Sequence, residues 1–215
     1  MDKLRPCIAE AIGTFTLIFI GVGAIHAANG DLLAVALAHG LAIAVMVSAT
    51  GHISGGHLNP AVTFGALMGG KISTTDAARY WAAQLIGGAA AGFLCLGIFD
   101  RQIVIDGTPQ LAGLVGPGKG ILVEAVLTFF LVFVVFGTGI DARGPKIGGL
   151  AIGLTVALDI LFGGPLTGAA MNPARTFGPA IAVSFWNAHY VYWLGPLIGG
   201  GLAGIIWKTF LLPKS

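Results

Sequence analysis

The segment Asn59-Pro60-Ala61-Val62-Thr63-Phe64-Gly65 of this chain returns as Asn172-Pro173-Ala174-Arg175-Thr176-Phe177-Gly178. Asn is a favoured N-cap, and Pro suits the first helical position, where the N–H that it lacks would have no partner within the helix. Each copy therefore predicts a short apolar helix, over 60–70 and 173–184. A helix of about ten residues is roughly 15 Å long, which is half the thickness of the hydrocarbon layer of a membrane.

The composition around these motifs is that of a membrane protein. Hydrophobic residues make up 56% of the 215 residues and charged residues 9%, against about 25% charged residues in a typical soluble domain. Six long apolar segments predict membrane-spanning helices, and the two short helices suit re-entrant segments that enter the membrane and stop midway. We therefore predict a single all-α integral membrane domain over residues 1–215. The predicted spans cover residues 7–28, 33–51, 77–99, 119–139, 147–163 and 189–212.

The whole chain is a duplication, because further blocks repeat in the same order as the two motifs. Glu10-Ala11 returns as Glu124-Ala125, and Tyr80-Trp81 returns as Tyr192-Trp193, always at a separation of 112 to 114 residues. Each repeat holds three spanning helices, an odd number, so the second copy is predicted to lie upside down relative to the first. Inverted repeats place a shared site near the membrane midplane, between the halves. The repeats cover about 7–99 and about 119–212.

The two Asn-Pro-Ala motifs would meet at that midplane. Each helix N-terminus carries a partial charge of about +0.5, and the amides of Asn59 and Asn172 offer N–H donors to the space between them. A narrow passage with this electrostatic profile orients a water molecule and opposes cations, including a travelling proton. Ordinary N-caps on two surface helices are the alternative, and the matched position of the two copies in apolar segments disfavours it.

Basic residues predict the orientation of the chain. Only Arg101 and Lys119 lie in the loops of one side, so the positive-inside rule places both termini in the cytoplasm. The short termini favour a plasma (inner) membrane. The basic residues predicted to flank the cytoplasmic side are Lys3, Arg5, Lys71, Arg79, Arg143, Lys146, Lys208 and Lys214.

The motifs resemble those of the aquaporin family, also called major intrinsic proteins. The blocks that carry the resemblance are Ser54–Thr63 and Met171–Pro179, and the similarity extends over the whole chain. The resemblance implies a single channel domain with six tilted helices, two half-helices, one pore per subunit and a homotetramer in the lipid bilayer. It implies passive conduction of water and exclusion of protons and ions. The residues Asn59, Pro60, Ala61, Asn172, Pro173 and Ala174 would form the midplane of the pore.

The resemblance also implies a selectivity filter on the outer side, formed by His39, Ile160, Ala169 and Arg175. Most water channels have Phe and His where this chain has His39 and Ile160, and this pair instead resembles plant tonoplast intrinsic proteins. A vacuolar-type membrane is therefore the alternative location. In the glycerol branch an Asp and a Lys occupy the positions of Thr176 and Ala180, which disfavours a glycerol channel.

Whether ammonia passes beside water stays open at this point. The filter with Ile160 and Ala169 is expected to be wider and partly hydrophobic, and His39 could accept a proton from ammonium. Against this, the loop from Arg101 to Lys119 contains no histidine, although some ammonia-conducting members have one there. A strict water channel and a water and ammonia channel remain equally supported.

Four ionisable residues near the motifs have open roles. Glu10 and Glu124 lie inside spans, where a charge needs a partner, and their equivalent positions favour a structural role over a proton relay. His57, just before the first motif, is a candidate for the cytoplasmic pore lining or a pH gate. Asp159 could pair with a loop, anchor Arg175 or face another subunit.

Other classes of function fit the sequence less well. A coupled transporter needs a charged midplane site, for which Asp159 is the candidate, and an adhesion or scaffold protein would carry long interaction tails. No nucleophile and base, metal-ligand cluster or basic patch points to an enzyme, a cofactor, a metal or a nucleic-acid partner.

Overall fold

The computed structural model describes residues 3–213, and within that range the chain forms helices and no strand. Lys214, one of the basic residues used to predict orientation, lies outside the described residues. The helices are α1 Leu4–Ala27, α2 Leu32–Ser54, α3 Pro60–Met68, α4 Thr74–Ile98, α5 Arg101–Asp106, α6 Pro117–Val135, α7 Gly148–Thr167, α8 Pro173–Val183 and α9 Val191–Ile206.

Six of these helices are long and apolar enough to cross a membrane, which confirms the predicted fold class. They are α1, α2, α4, α6, α7 and α9, and the last residues of the fourth and sixth spans form π-helical turns, Phe136–Ile140 and Trp207–Leu211. The two half-helices, α3 and α8, begin at the prolines of the two motifs, as predicted. Because the number of spans is even, residues 3 and 213 lie on the same side of the membrane.

One helix was not predicted from the sequence. The segment Arg101–Asp106 was treated as a loop, and it forms the short helix α5 between the third and fourth spans. Asp100 and Gly107 bound it at the N-cap and C-cap positions. These residue types are common at helix ends, but a segment of six residues carries too little periodicity for the hydropathy pattern to reveal a helix.

The two repeats are interlocked rather than placed side by side. Within the repeats α1 packs against α4, and α6 packs against α9, while α2 and α7 pack against each other across the repeats. Each half-helix packs against the last span of the other repeat, α3 against α9 and α8 against α4. Glycines permit these contacts, because a Cβ on Gly88 would lie 2.9 Å from the oxygen of Ala174, and one on Gly200 would lie 2.6 Å from that of Ala61.

Two fully buried glutamates hold the loops that lead into the half-helices. Glu10 accepts hydrogen bonds from the backbone N–H groups of His57, at 2.9 Å, and Leu58, at 2.6 Å. Glu124 accepts the equivalent bonds from Ala170, at 3.0 Å, and Met171, at 2.7 Å. Backbone donors on both carboxylate oxygens support the structural role for these acids, because few lone pairs remain for a travelling proton.

The loops that the glutamates hold have an unusual backbone. Leu58 and Met171, directly before the two asparagines, have φ angles of 53° and 50°, in the left-handed region that costs a non-glycine residue about 1–3 kcal/mol. The glutamate carboxylates bind the N–H groups of these two residues. Hydrogen bonds to a charged group contribute about 1.5–3 kcal/mol each, so they offset the backbone strain. The left-handed turn directs the half-helix that follows it into the interior of the protein.

The crossing of α2 and α7 gives a test of this packing. A Cβ on Gly40 would lie 2.6 Å from the oxygen of Gly153 and 2.9 Å from the Cβ of Ala157, whereas a Cβ on Gly51, in the same helix, would meet nothing within 4 Å. We expect Gly40→Ala to lower the free energy of unfolding in detergent by about 1–3 kcal/mol, as overpacking does. Gly51→Ala is the control and should leave stability unchanged or raise it by up to about 1 kcal/mol. Equal melting temperatures for the two variants would contradict this packing.

Candidate pore

Two cavities lie in line between the half-helices and one face of the helix bundle. The outer cavity has a volume of about 260 Å³, and its walls come from α1, α2, α7 and the segment around α5. The inner cavity has a volume of about 20 Å³ and reaches both asparagines of the repeated motif. His39, Ile160 and Arg175 line both cavities, so these three residues form the boundary between them.

The inner cavity is the size of a single water molecule. A cavity holds a water when its volume exceeds about 10–15 Å³ and polar groups are in reach. Its polar groups include the side chains of Asn59 and Asn172, each 3% exposed. The rest of its wall is largely apolar, which leaves a passing water few partners besides the two amides. The apolar residues along this wall include Leu17, Ile43, Leu131 and Val156.

Both asparagines serve as N-caps, as the sequence predicted. The Oδ1 atom of Asn59 accepts from the N–H of Ala61 at 2.8 Å, and that of Asn172 accepts from the N–H groups of Ala174 and Arg175, at 3.0 and 3.3 Å. With the oxygen used in this way, each amide nitrogen is left to face away from its own helix.

The amide nitrogens also tie the two repeats together, a contact that sequence reasoning did not predict. Asn59 Nδ2 donates to the carbonyl oxygen of Met171 at 2.8 Å, and Asn172 Nδ2 donates to that of Leu58 at 3.0 Å. Each side chain therefore donates to the loop that precedes the other motif. An amide nitrogen carries two N–H groups, so one N–H of each asparagine remains available to the inner cavity.

The filter arginine is held from two sides. Arg175 is 4% exposed, its Nη1 donates to the oxygen of Gly107 at 2.8 Å, and its Nη2 lies 3.3 Å from Nε2 of His39. Gly107 caps the C-terminus of α5, and Arg101 in the same helix donates from Nη2 to the oxygen of Val183 at 2.6 Å. Helix α5, which the sequence did not predict, thus positions Arg175, the predicted filter arginine. Its local signals in the sequence are Asp100 and Gly107 at its two ends.

The contacts of His39 assign its tautomer. Nδ1 lies 2.9 Å from the carbonyl oxygen of Val35, so this nitrogen must carry a proton and donate. Nε2 faces the Arg175 guanidinium, which has only donors, so Nε2 is the acceptor and the ring is neutral. Gly21 leaves space for the ring, because a Cβ there would lie 3.0 Å from Cδ2 of His39. A neutral ring beside a fixed cation disfavours His39 as a proton acceptor for ammonium.

Ile160 and Ala169 complete the narrow region. Ile160, 4% exposed on α7, lines both cavities, and Ala169 lines the inner cavity from the loop before the second motif. Ala169 has a φ of 44°, a backbone conformation that larger and β-branched residues adopt with difficulty. All four predicted filter residues thus line the inner cavity, and three of them also line the outer one.

Two other candidates lie away from these cavities. Nδ1 of His57 lies 3.1 Å from Oγ1 of Thr63, and its ring packs edge-on against Tyr80, so it lines neither cavity. Asp159 is buried on α7, and its Oδ2 has no hydrogen-bond partner among residues 3–213. No bond joins it to Arg175 in that range, and the described residues contain no group of three possible metal ligands.

Comparison with known proteins agrees with this geometry. The Major intrinsic protein family model matches residues 1–207. The chain is 44% identical to "Probable aquaporin TIP3-2" of Arabidopsis thaliana, over 99% of the chain and 86% of that protein. It is 47% identical to "Aquaporin TIP4-4" of Zea mays, over 99% of the chain and 88% of that protein.

A solved structure shows the same fold. The aquaglyceroporin from Plasmodium falciparum superposes with a TM-score of 0.85, covering 97% of this chain and 96% of the other at 24% identity. Together with the family match over residues 1–207 and relatives above 40% identity, the paired Asn-Pro-Ala half-helices establish that the chain belongs to the major intrinsic protein family, the aquaporins.

Proposed function

We propose that the protein conducts water in single file through the two aligned cavities and excludes protons and ions. The observation that carries this proposal is the one-water inner cavity, whose polar side chains are those of Asn59, Asn172, His39 and Arg175 and whose other lining residues are apolar. The aquaporin relatives support water as the cargo. The protein is a channel and not an enzyme, and we propose that residues 1–215 form one channel domain.

The midplane would orient each passing water. The N-termini of α3 and α8 lie at this level, and each contributes a partial charge of about +0.5. A water in the inner cavity can accept from the free N–H of Asn59 or Asn172, which turns both of its hydrogens away from the amides. Such a water cannot accept a proton from a neighbour in the file, and the positive end of each half-helix opposes any cation.

The filter would select at the outer boundary. The guanidinium of Arg175 adds a fixed charge that repels cations, and the three residues shared by the two cavities restrict the width. Ile160 offers no hydrogen bond on its side, and Nε2 of His39 already accepts from Arg175, so a solute must replace its hydration with the donors of Arg175. Water meets this requirement because it is small and its oxygen accepts hydrogen bonds.

Ammonia remains a second candidate cargo, favoured by the apolar Ile160 and the small Ala169 in the filter. A neutral ammonia molecule loses less hydration than an ion on entering a partly hydrophobic passage. Because the lone pair of His39 Nε2 faces the Arg175 guanidinium, an ammonium ion would give its proton to bulk water before the filter rather than to His39.

We also propose a homotetramer in a vacuolar-type membrane with both termini in the cytoplasm. The TIP-type relatives favour the vacuolar-type location over the plasma membrane. Leu37 and Leu41 on α2, and Leu150 and Leu154 on α7, form an exposed apolar face that is suited to contact with lipid or with another subunit.

The role of the midplane can be tested by stopped-flow measurement of osmotic water flux in proteoliposomes. Asn59→Asp/Asn172→Asp keeps the cap oxygens but replaces both N–H donors by oxygens that face the carbonyls of Leu58 and Met171. We expect water flux to fall at least severalfold and cation leakage to rise. Asn187→Asp, at an exposed loop position, adds a charge elsewhere and should change neither flux. A folded double variant with unchanged water and ion permeability would refute the mechanism.

A second experiment addresses the filter arginine. Arg175→Val removes the charge and the bonds to Gly107 and His39, so the boundary between the cavities should widen. We expect permeation of urea and glycerol to rise at least severalfold, with some proton leakage. Arg175→Lys is the matched control, because it keeps the charge, and it should exclude protons while losing part of the size selection. If Arg175→Val passed larger solutes no faster than the wild type, the filter assignment would be wrong.

The cargo beside water can be identified by alkalinisation of vesicles on an ammonium gradient. We expect His39→Phe/Ile160→His to reduce ammonia flux at least threefold while water flux persists, because the filter becomes bulkier and its histidine moves to α7, as in most water channels. Ile86→Phe, at a position 68% exposed on α4, is the control and should behave as the wild type. Wild-type ammonia flux no faster than in empty vesicles would leave a strict water channel.

A further inference from the structure

The largest cavity described in the structure lies outside the pore. It is a groove of about 640 Å³ between the first turns of α1 and the last turns of α2, here called the α1–α2 groove. Its lining includes Arg5, His52, Ile8, Ile12 and Ile53. None of these residues lines either pore cavity, so the proposed water pathway leaves the groove without a role.

The side chains that line the groove change from polar to apolar along the membrane normal. Arg5 lies in the first turn of α1 and His52 in the last turn of α2, so both are at the ends of spans, at the level of the lipid headgroups. Ile8 and Ile12 follow Arg5 at helical spacing on α1, and they are 49% and 53% exposed. The same groove therefore offers a cation and an imidazole at its mouth and branched apolar side chains deeper in the membrane.

Within residues 3–213, no ion pair neutralises the charge at the mouth of the groove. The ion pairs within residues 3–213 join Lys3 and Arg79 to Asp76, and Arg143 to Asp141, and Arg5 takes part in none of them. The lining of the groove contains no carboxylate. A guanidinium with five donors in a planar fork is suited to bind a phosphate at two oxygens, and an imidazole N–H can donate to a third oxygen.

We propose that the α1–α2 groove binds an anionic phospholipid. Its phosphate lies between Arg5 and His52, and one acyl chain extends along Ile8 and Ile12. Lipid is favoured over a soluble anion because the groove continues into the apolar layer below the two polar groups. Lipid is favoured over a second copy of the chain because the polar groups converge at headgroup depth, where an anionic headgroup is present in the membrane itself. The positive-inside orientation places the groove in the cytoplasmic leaflet.

Native mass spectrometry of the purified protein with phosphatidylglycerol or phosphatidylcholine tests this proposal without measuring transport. We expect the wild type to retain phosphatidylglycerol in preference to phosphatidylcholine. Arg5→Gln should lower the apparent affinity for phosphatidylglycerol about fivefold, the effect of removing one cation near an anionic surface, and His52→Gln should lower it further. Ile8→Ala/Ile12→Ala should weaken retention of both lipids. Lys146→Gln, exposed in a loop predicted to be on the same side, removes the same charge and should change nothing.

Three results would overturn the proposal. The first is equal phosphatidylglycerol retention by Arg5→Gln, Lys146→Gln and the wild type. The second is displacement of the lipid by millimolar inorganic phosphate, which would indicate a site for a soluble anion. The third is dissociation of an oligomer in Arg5→Gln or Ile8→Ala/Ile12→Ala without a change in lipid preference, which would identify the groove as a subunit contact.

Discussion

The structure depends on two carboxylates buried in the membrane interior. Glu10 and Glu124 each bind two consecutive backbone N–H groups of a loop that no regular secondary structure satisfies. An unsatisfied N–H in the hydrocarbon region costs several kcal/mol, and a carboxylate there also needs partners. The loop N–H groups find acceptors in the carboxylate, and the carboxylate finds its partners in the same N–H groups. The outcome is a re-entrant loop that remains inside the membrane and aims a helix N-terminus at the midplane.

Around each glutamate the same contacts recur in both repeats. Ser54 donates to Glu10 at 2.6 Å as Thr167 donates to Glu124 at 2.7 Å. Tyr80 donates to the oxygen of Ser54 as Tyr192 donates to that of Thr167, both at 2.8 Å. Because one network serves both halves, the two half-helices start at equivalent depths. The reciprocal bonds of the asparagine amides then join the halves where the two half-helices begin.

The residues that we propose select solutes lie at positions where the two repeats differ. The second repeat has Arg175 where the first has Val62, so a fixed charge lies on one side of the midplane only. The first repeat contributes His39 on α2, and the second contributes Ile160 at the boundary between the cavities. The connection between the repeats supplies the third element, since α5 presents the carbonyl of Gly107 to the arginine. The duplicated scaffold places the two half-helices, and the departures from symmetry supply the residues that we propose form the outer filter.

Close helix contact is the second requirement, and glycine meets it at the crossings. The half-helices approach α4 and α9 so closely that a single Cβ on Gly88 or Gly200 would meet backbone oxygen at under 3 Å. In lipid, where hydrophobic burial adds little between helices, such contact is the main source of association.

The sequence by itself was enough for the membrane class, the six spans, the two half-helices and the repeat. These depend on local or periodic properties: long apolar segments, an Asn-Pro start and recurrence at a constant separation. It also indicated the filter residues, through the resemblance of the motifs. Only the tertiary structure decided what each of these residues contacts. Arg175 finds its partners 68 residues away at Gly107 and 136 residues away at His39. Contacts between residues so far apart depend on how the helices pack, and a single sequence carries no pattern that reports them.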